Sequence, residues 1–307
     1  MAVTPALIKE LREISGAGMM DCKNALTQAD GNIEKAVELL REKGLAAAAK
    51  KAGRIATEGL VLAYIADDNS KGVLVEVNSE TDFVAKNQEF KTFVEQVAQQ
   101  AMASDSTSMD EFFAEEWKFG DSATVKDALS GKIAVIGENL NIRRFDKFEK
   151  QENGRLISYI HGGGKVAVVV YLASDAAGEL LEESGKNLCM QIAAMSPRFI
   201  GRSDVPEEFI NKEKEILTQQ AINEGKPAHI AEKMVMGRLK KELQEFCLLE
   251  QEYVKNGDQT VTQYLEEVGK SIGSSITVKR FVRYETGEGL DKKEENFAEE
   301  VSKAMGS

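Results

Sequence analysis

Residues 124–149, TVKDALSGKIAVIGENLNIRRFDKFE, and residues 260–285, TVTQYLEEVGKSIGSSITVKRFVRYE, align without a gap. Thr, Val, Leu, Ile-Gly, Arg-Phe and a closing Glu recur at an offset of 136, so one supersecondary unit occurs twice. Each copy has the pattern of a helix followed by a strand carrying basic and aromatic residues. A second shared pattern lies upstream. Residues 59–66 and 72–78, rich in Val, Leu and Ile, are two strands, and Phe90, Phe93, Val94 and Val97 mark one side of the helix after them. Residues 156–161 and 166–173 repeat the strand pair, with Leu180, Leu181, Leu188 and Ile192 on the helix that follows. The spacing predicts an α+β fold with two related subdomains. Each is a three-stranded antiparallel sheet backed by helices, in the order strand–strand–helix–helix–strand.

Around this pair the chain adds a helical head, an insertion and a tail. In residues 1–53, Thr4 is an N-cap, Pro5 takes the first helical position, and Leu7, Ile8, Leu11 and Ile14 recur at helical spacing. Gly16 and Gly18 stop that helix, and Met19, Cys22, Leu26 and Ala29 mark a second. Asp30-Gly31-Asn32 turns into a third, with Ile33, Ala36, Val37 and Leu40 inward and Gly44 as its C′ residue. Residues 45–53 are a helical linker out of this three-helix bundle. Residues 54–150 form the first subdomain, and 151–195 plus 259–285 the second. Residues 196–258 interrupt the second: Gly225-Lys226-Pro227 separates a helix marked by Ile210, Ile216, Leu217 and Ile222 from one marked by Ile230, Met234, Leu239, Leu243 and Phe246. This is an αα-hairpin, the shape of an interaction arm. Residues 104–122, acidic and holding the single tryptophan Trp117, read as a solvated insertion. Residues 286–307 open with Thr286-Gly287-Glu288-Gly289 and end in an amphipathic helix through Phe297 and Val301.

Composition narrows the function. The 307 residues carry a formal charge of −12, which argues against general phosphate-driven nucleic-acid binding. Residues 1–54 nevertheless hold nine basic and seven acidic side chains, so the acidity belongs to the rest. Cys22, Cys189 and Cys247 are far apart, and His161 and His229 are equally isolated, which predicts reduced thiols and neither a disulfide framework nor a zinc cluster. No metal or cofactor site is expected. The longest apolar stretch near a candidate span, residues 166–173, is too short to cross a membrane as a helix. With no targeting segment visible, a soluble cytoplasmic protein is expected.

Catalytic signals are weak. His161-Gly162-Gly163-Gly164-Lys165 has the glycines of a phosphate loop, but Val166 follows the Lys where Ser or Thr is required, and no helix opens behind it. A hairpin loop with His161 as an exposed contact residue is the better reading. Glu76, Glu80 and Asp82 cluster at a strand–helix junction, where paired carboxylates can do acid–base work. Thr81 as an N-cap with acids in the first turn explains them more simply. Phe83 fits a core position and an outward one equally well on pattern alone. Met19 and Met20 are arranged so that one can face inward and its neighbour outward, and methionines suit adaptable contact surfaces. Arg41, Lys43, Lys50, Lys51 and Arg54 make a local basic stretch, most simply a solvated helix face.

Four segments carry a resemblance over essentially the whole chain: LREISGAGMMDCKNAL at 11–26, EVNSETDFVAKN at 76–87, IGENLNIRR at 136–144 and GKPAHIAEKMVMGRLKK at 225–241. The chain resembles the bacterial elongation factor Ts family. The resemblance implies a ubiquitin-associated-like (UBA-like) head, two core subdomains, a helical hairpin and a C-terminal helix. It implies a non-enzymatic function: guanine-nucleotide exchange on elongation factor Tu, the GTPase that delivers aminoacyl-tRNA to the ribosome, by release of GDP and magnesium so that GTP can bind. The family motif falls on Thr81, Asp82, Phe83 and Val84, where the aromatic is a wedge entering the Tu GTPase domain and dislodging its Mg2+. Lys9, Arg12, Met19 and Met20 occupy further contact positions on that domain, and the His161 loop belongs to the part that grips a second domain of Tu. The C-terminal helix is expected to return to the GTPase domain. The hairpin resembles one through which members pair, as a homodimer or as two Tu with two Ts subunits. Ser79 departs from the Cys of several members.

Two other classes stand beside this reading. A helical adaptor would form complexes insensitive to nucleotide, and an enzyme would need Cys22 or His161 as nucleophile or base.

Overall fold

The computed structural model describes residues 3–225 and 228–291, except the side chains of residues 228–232. The chain divides into two units: residues up to 62 with 75–145 and those from 285 on, and residues 63–74 with 146–284.

In the first unit, Thr4 caps α1 (Pro5–Ser15) by accepting the Leu7 N–H at 3.3 Å, and Gly16 ends it in a left-handed conformation. α2 (Met19–Gln28) and α3 (Ile33–Lys51) complete the head, with Asn32 Oδ1 accepting from the Lys35 N–H at 2.9 Å. Leu11, Cys22, Leu26 and Ala36 are its buried centre. Two expectations fail here. Met19 is exposed together with Met20, because the inward face of α2 is set by Cys22, Ala25 and Leu26. Gly44 does not end the third helix, since α3 runs unbroken to Lys51 through an alanine run of high helix propensity. Gly44 is instead buried in mid-helix, where a Cβ would meet the Ser130 carbonyl oxygen at 3.6 Å, an ordinary contact.

β1 (Glu58–Ile65) and β2 (Lys71–Ser79) follow, then the short α4 (Asp82–Lys86), α5 (Gln88–Ala103), α6 (Met109–Ala114), α7 (Val125–Ile136) and β3 (Leu140–Glu149). The sheet order is β1-β2-β3. Phe90, Phe93, Val94 and Val97 are buried on one side of α5, as their spacing predicts. The 104–122 insertion is not simply solvated. Phe112 and Trp117 are buried, Trp117 lies 5.8 Å from the Phe93 ring, and its Nε1 donates to the Phe119 carbonyl at 2.8 Å. The acids of this stretch mask an apolar pair that covers the core.

The chain from residue 154 on repeats the scheme. β4 (Gly154–His161) and β5 (Val166–Ala173) pair antiparallel from Gly154↔Ala173 to His161↔Val166. Next come α8 (Glu179–Met195), the hairpin helices α9 (Glu207–Asn223) and α10 (Ala228–Phe246), a small ribbon of β6 (Glu252–Tyr253) and β7 (Asn256–Thr260), then α11 (Val261–Ile272) and β8 (Thr277–Glu285). The sheet order is β4-β5-β8, the same first–second–last order as in the first sheet. Leu181, Leu188 and Ile192 of α8 are in the core, whereas Leu180 is exposed one position off the inward stripe. In the hairpin, Leu217, Ala221, Val235, Leu239 and Leu243 form a separate apolar seam, while Ile216, Ile222 and Met236 face outward. Gly225 is left-handed as the turn requires; Lys226 and Pro227 lie outside the described residues.

The two repeat copies now have a physical explanation. Thr124 and Thr260 are the N-caps of α7 and α11, Gly137 and Gly273 are their left-handed C-caps, and Val125 with Val261 and Leu129 with Leu265 are buried. The shared letters are the caps and core of one helix–strand unit, and the α+β reading holds. Of the expected C-terminal helix, residues 292–307, including Phe297 and Val301, lie outside the described residues.

Candidate functional site

α4 is five residues long, too short to persist by its own hydrogen bonds. Tertiary contacts hold it. Thr81 is its N-cap, with Oγ1 accepting from the Val84 N–H at 3.4 Å. Glu138, in the turn after α7, binds Thr81 with both oxygens, accepting the backbone N–H at 3.0 Å and the Oγ1 hydroxyl at 2.7 Å. Ser79 Oγ donates to the Thr81 carbonyl at 3.0 Å. Beside them, Glu80 Oε1 accepts the Asn139 N–H at 2.6 Å, and Asn139 Nδ2 donates to the Arg54 carbonyl at 2.7 Å. Val84 and Ala85 are buried as the anchor of the short helix.

Phe83 is the consequence. Its side chain is 80% exposed on a backbone fixed from behind. Sequence pattern left core and surface equally open, and the structure gives surface. Burying such a ring is worth about 1.5–3 kcal/mol, so its exposure leaves that amount available to a partner. Lys86 ion-pairs with Asp82 at 2.6 Å and sits 5.9 Å from the Phe83 ring centroid, giving the apolar tip a charged rim.

The three carboxylates of the junction do not converge. Asp82 pairs with Lys86 and Glu80 with Asn139, while Glu76 is fully buried in β2 and bound by Arg143 and Arg144. Arg143 Nη1 reaches Glu76 at 3.0 Å and Arg144 Nε at 2.6 Å. Asn78 Nδ2 adds a bond at 3.0 Å and the Gly287 N–H one at 2.8 Å. Burial pushes this carboxyl up, but the bonds from Gly287, Asn78 and Arg144 together outweigh it and hold it below the usual range. A carboxylate kept ionised by two arginines is a structural clamp, so the acid–base reading of this cluster is not met.

The other sequence candidates occupy separate places. Lys9 and Arg12 are exposed on α1, with Lys9 3.6 Å from Glu13. Met19 and Met20 open α2 and are 62% and 64% exposed. With the α4 motif they belong to the first unit. His161 belongs to the second, at the end of β4, where Nδ1 and the Tyr159 hydroxyl are 2.9 Å apart. Gly162, Gly163 and Gly164 all have positive φ, and the Gly164 and Lys165 N–H groups fold back onto the His161 carbonyl. The loop spends its amides on its own turn, as a hairpin does. Among the described residues no three His, Cys, Asp or Glu side chains gather as a metal would need, and none of their helices is long and apolar enough to cross a membrane.

Sequence reasoning missed the bracing residues. Glu138 and Asn139 stand in the quoted segment IGENLNIRR, but nothing in their spacing says that they support a motif more than fifty residues earlier. Glu76 was visible only as one acid among three. Its signal was position, an acid within the apolar run of residues 73–77, facing Arg143 and Arg144 on β3 of the same sheet.

Comparisons with known proteins identify the family. The family described as Elongation factor TS matches residues 80–288, which include the α4 motif. An elongation factor Ts of Clostridium botulinum (strain Eklund 17B / Type B) is 56% identical over 299 residues, 97% of this chain and 98% of the relative. Those of Clostridium perfringens (strain SM101 / Type A) and Clostridioides difficile (strain 630) are each 54% identical, over 99% of both chains. With an exposed Phe83 on a braced α4 and relatives matched from end to end, the chain belongs to the elongation factor Ts family.

Proposed function

We propose that this protein is the guanine-nucleotide exchange factor of elongation factor Tu and acts by contact, without catalytic groups or a cofactor of its own. Its family membership supports the partner and the step in translation elongation. The single observation that carries the mechanism is Phe83, exposed at 80% on a five-residue helix whose own bonds cannot hold it and which Glu138 fixes instead. In this reading Thr81, Asp82, Phe83 and Val84 form the element that enters the Tu GTPase domain and dislodges Mg2+. Asp82 and Lys86 supply polar rim contacts. Lys9, Arg12, Met19 and Met20 give a second grip on the same domain, and His161 with its loop contacts another domain of Tu. The outward Ile216, Ile222 and Met236 support a pairing role for the hairpin. A cytoplasmic location follows from the translation partner.

The energetics require more than one anchor. An exchange factor must bind nucleotide-free Tu better than Tu·GDP, because a ligand shifts an equilibrium only by its differential affinity. A thousandfold weakening of GDP needs about 4 kcal/mol of such difference, and one aromatic wedge supplies roughly 2–3 kcal/mol. The coupling is reciprocal, so nucleotide must expel the factor as strongly as the factor expels nucleotide. Titrating GDP into a preformed complex tests this directly. Dissociation with rising GDP is expected, and a complex unmoved by saturating GDP would overturn the reading in favour of an adaptor.

A further inference from the structure

A groove of about 980 Å³ opens in the first unit between the last turns of α3, α6, α7 and the start of β3. One wall is a stripe of Leu45, Ala48, Ala49 and Ala52 at helical spacing, continued by Ile55; the other includes Phe113, Leu129 and Ile133. Leu45 and Ile55 are large apolar residues left exposed there. A groove of this size and lining is at the upper end of what ligand sites reach, and an apolar stripe on a helix is ordinarily covered.

The chain itself is delivered to this groove. Gly287 has φ +72°, and a Cβ there would lie 2.2 Å from the Thr57 carbonyl oxygen, so the backbone packs directly onto the first unit. Its N–H is held by the buried Glu76, and Arg143 Nη2 donates to the Glu288 carbonyl at 2.7 Å. Leu290 then bonds back to Gly287 at 3.1 Å. Leu290 and Asp291, where the described chain ends, are themselves part of the groove lining. Residues 292–307 lie beyond, with Phe297, Val301 and Met305 four residues apart and Glu294, Glu295, Glu299 and Glu300 among the polar positions. The six residues from Asp291 to Phe297 span up to about 20 Å when extended, ample for a side chain to enter the groove.

We propose that in the free protein residues 292–307 seat in this groove, with Phe297, Val301 and Met305 against Leu45, Ala49, Ala52 and Ile55. The tail is an intramolecular occupant that shelters the apolar stripe.

Hydrogen–deuterium exchange on the full chain tests the proposal. Amides of residues 297–305 should exchange about tenfold or more slowly than in full chains carrying Phe297→Ser with Val301→Ser. Ala49→Glu on the groove wall should release the same amides, since a carboxylate would enter the apolar seat. Both sets of changes lie on exposed or terminal positions, and thermal melts of each variant check that the core remains folded. Protection should not vary with protein concentration. Exchange at the rate of unstructured chain in the unsubstituted protein overturns the proposal. So does protection that survives Ala49→Glu, which would mean a tail ordered elsewhere, or protection that rises with concentration, which would mean a second copy in the groove.

Discussion

Glu138 holds Thr81 with both carboxylate oxygens, one on the backbone N–H at 3.0 Å and one on the hydroxyl at 2.7 Å. Through that pair, the turn between α7 and β3 in the first repeat copy fixes the short helix carrying Phe83. Hydrogen bonds to a charged acceptor are worth roughly 1.5–3 kcal/mol. Glu138→Ala is therefore expected to slow stimulated GDP release about tenfold while Phe83 itself is intact, and Glu138→Gln to lie between the two. Stopped-flow release of a fluorescent GDP from Tu measures it. Rates for Glu138→Ala equal to the unsubstituted protein would show that α4 is held by other means.

Glu76 gives the protein an acid-sensitive clamp. Its carboxyl titrates below the 4.5 of an ordinary glutamate, so its contribution is fully present above that value and is lost as pH falls through the lower folded value. Glu76→Gln is expected to cost about 3 kcal/mol at pH 7, because Arg143 and Arg144 lose their buried counter-charge. The gap between the two proteins should narrow below about pH 4.5. Urea denaturation at several pH values reads both effects, and a gap constant with pH would refute the clamp.

Gly287 and Gly289 form a matched pair of left-handed glycines with different surroundings. A Cβ at Gly287 meets the Thr57 carbonyl oxygen at 2.2 Å, whereas at Gly289 it meets nothing within 4 Å. Gly289→Ala should cost only the left-handed strain, about 1–2 kcal/mol. Gly287→Ala should lower the melting temperature further, because the strap from Glu285 onward must lift off. Equal melting temperatures for the two variants would contradict this packing.

Met19 and Met20 are exposed at the start of α2 and contribute nothing to the core of the head. Replacing both with Ser should change stability by less than about 0.5 kcal/mol, as surface substitutions usually do. Affinity for nucleotide-free Tu should fall about tenfold, measured by titration calorimetry. Unchanged affinity would remove the head from the contact surface.

The repeated segment made the fold legible because its shared residues do local work. Thr124 and Thr260 cap, Gly137 and Gly273 end the helices, and Val125 and Val261 are buried, all from physics that acts within a dozen residues. Gly44 misled because α3 runs on past it to Lys51, so the glycine is buried within the helix beside Ser130 and not at a terminus. Trp117 misled in the same way: the surrounding acids looked solvated while the ring packed on Phe93. Phe83 was undecidable by spacing, since a first-turn aromatic can face either way until its neighbours are in place. Glu138 and Glu76 were invisible as partners because nothing in sequence spacing encodes bonds across fifty or more residues.

The central claim is that an exposed aromatic on a fixed helix is what expels GDP. Release of labelled GDP from Tu, followed with catalytic amounts of the protein and of Phe83→Ala side by side, tests it most directly. Strong acceleration by the unsubstituted protein is expected, with Phe83→Ala slower by about thirtyfold or more and equally stable, since the lost ring is worth roughly 2–3 kcal/mol only when buried in the partner. Equal acceleration by the two proteins would contradict the account.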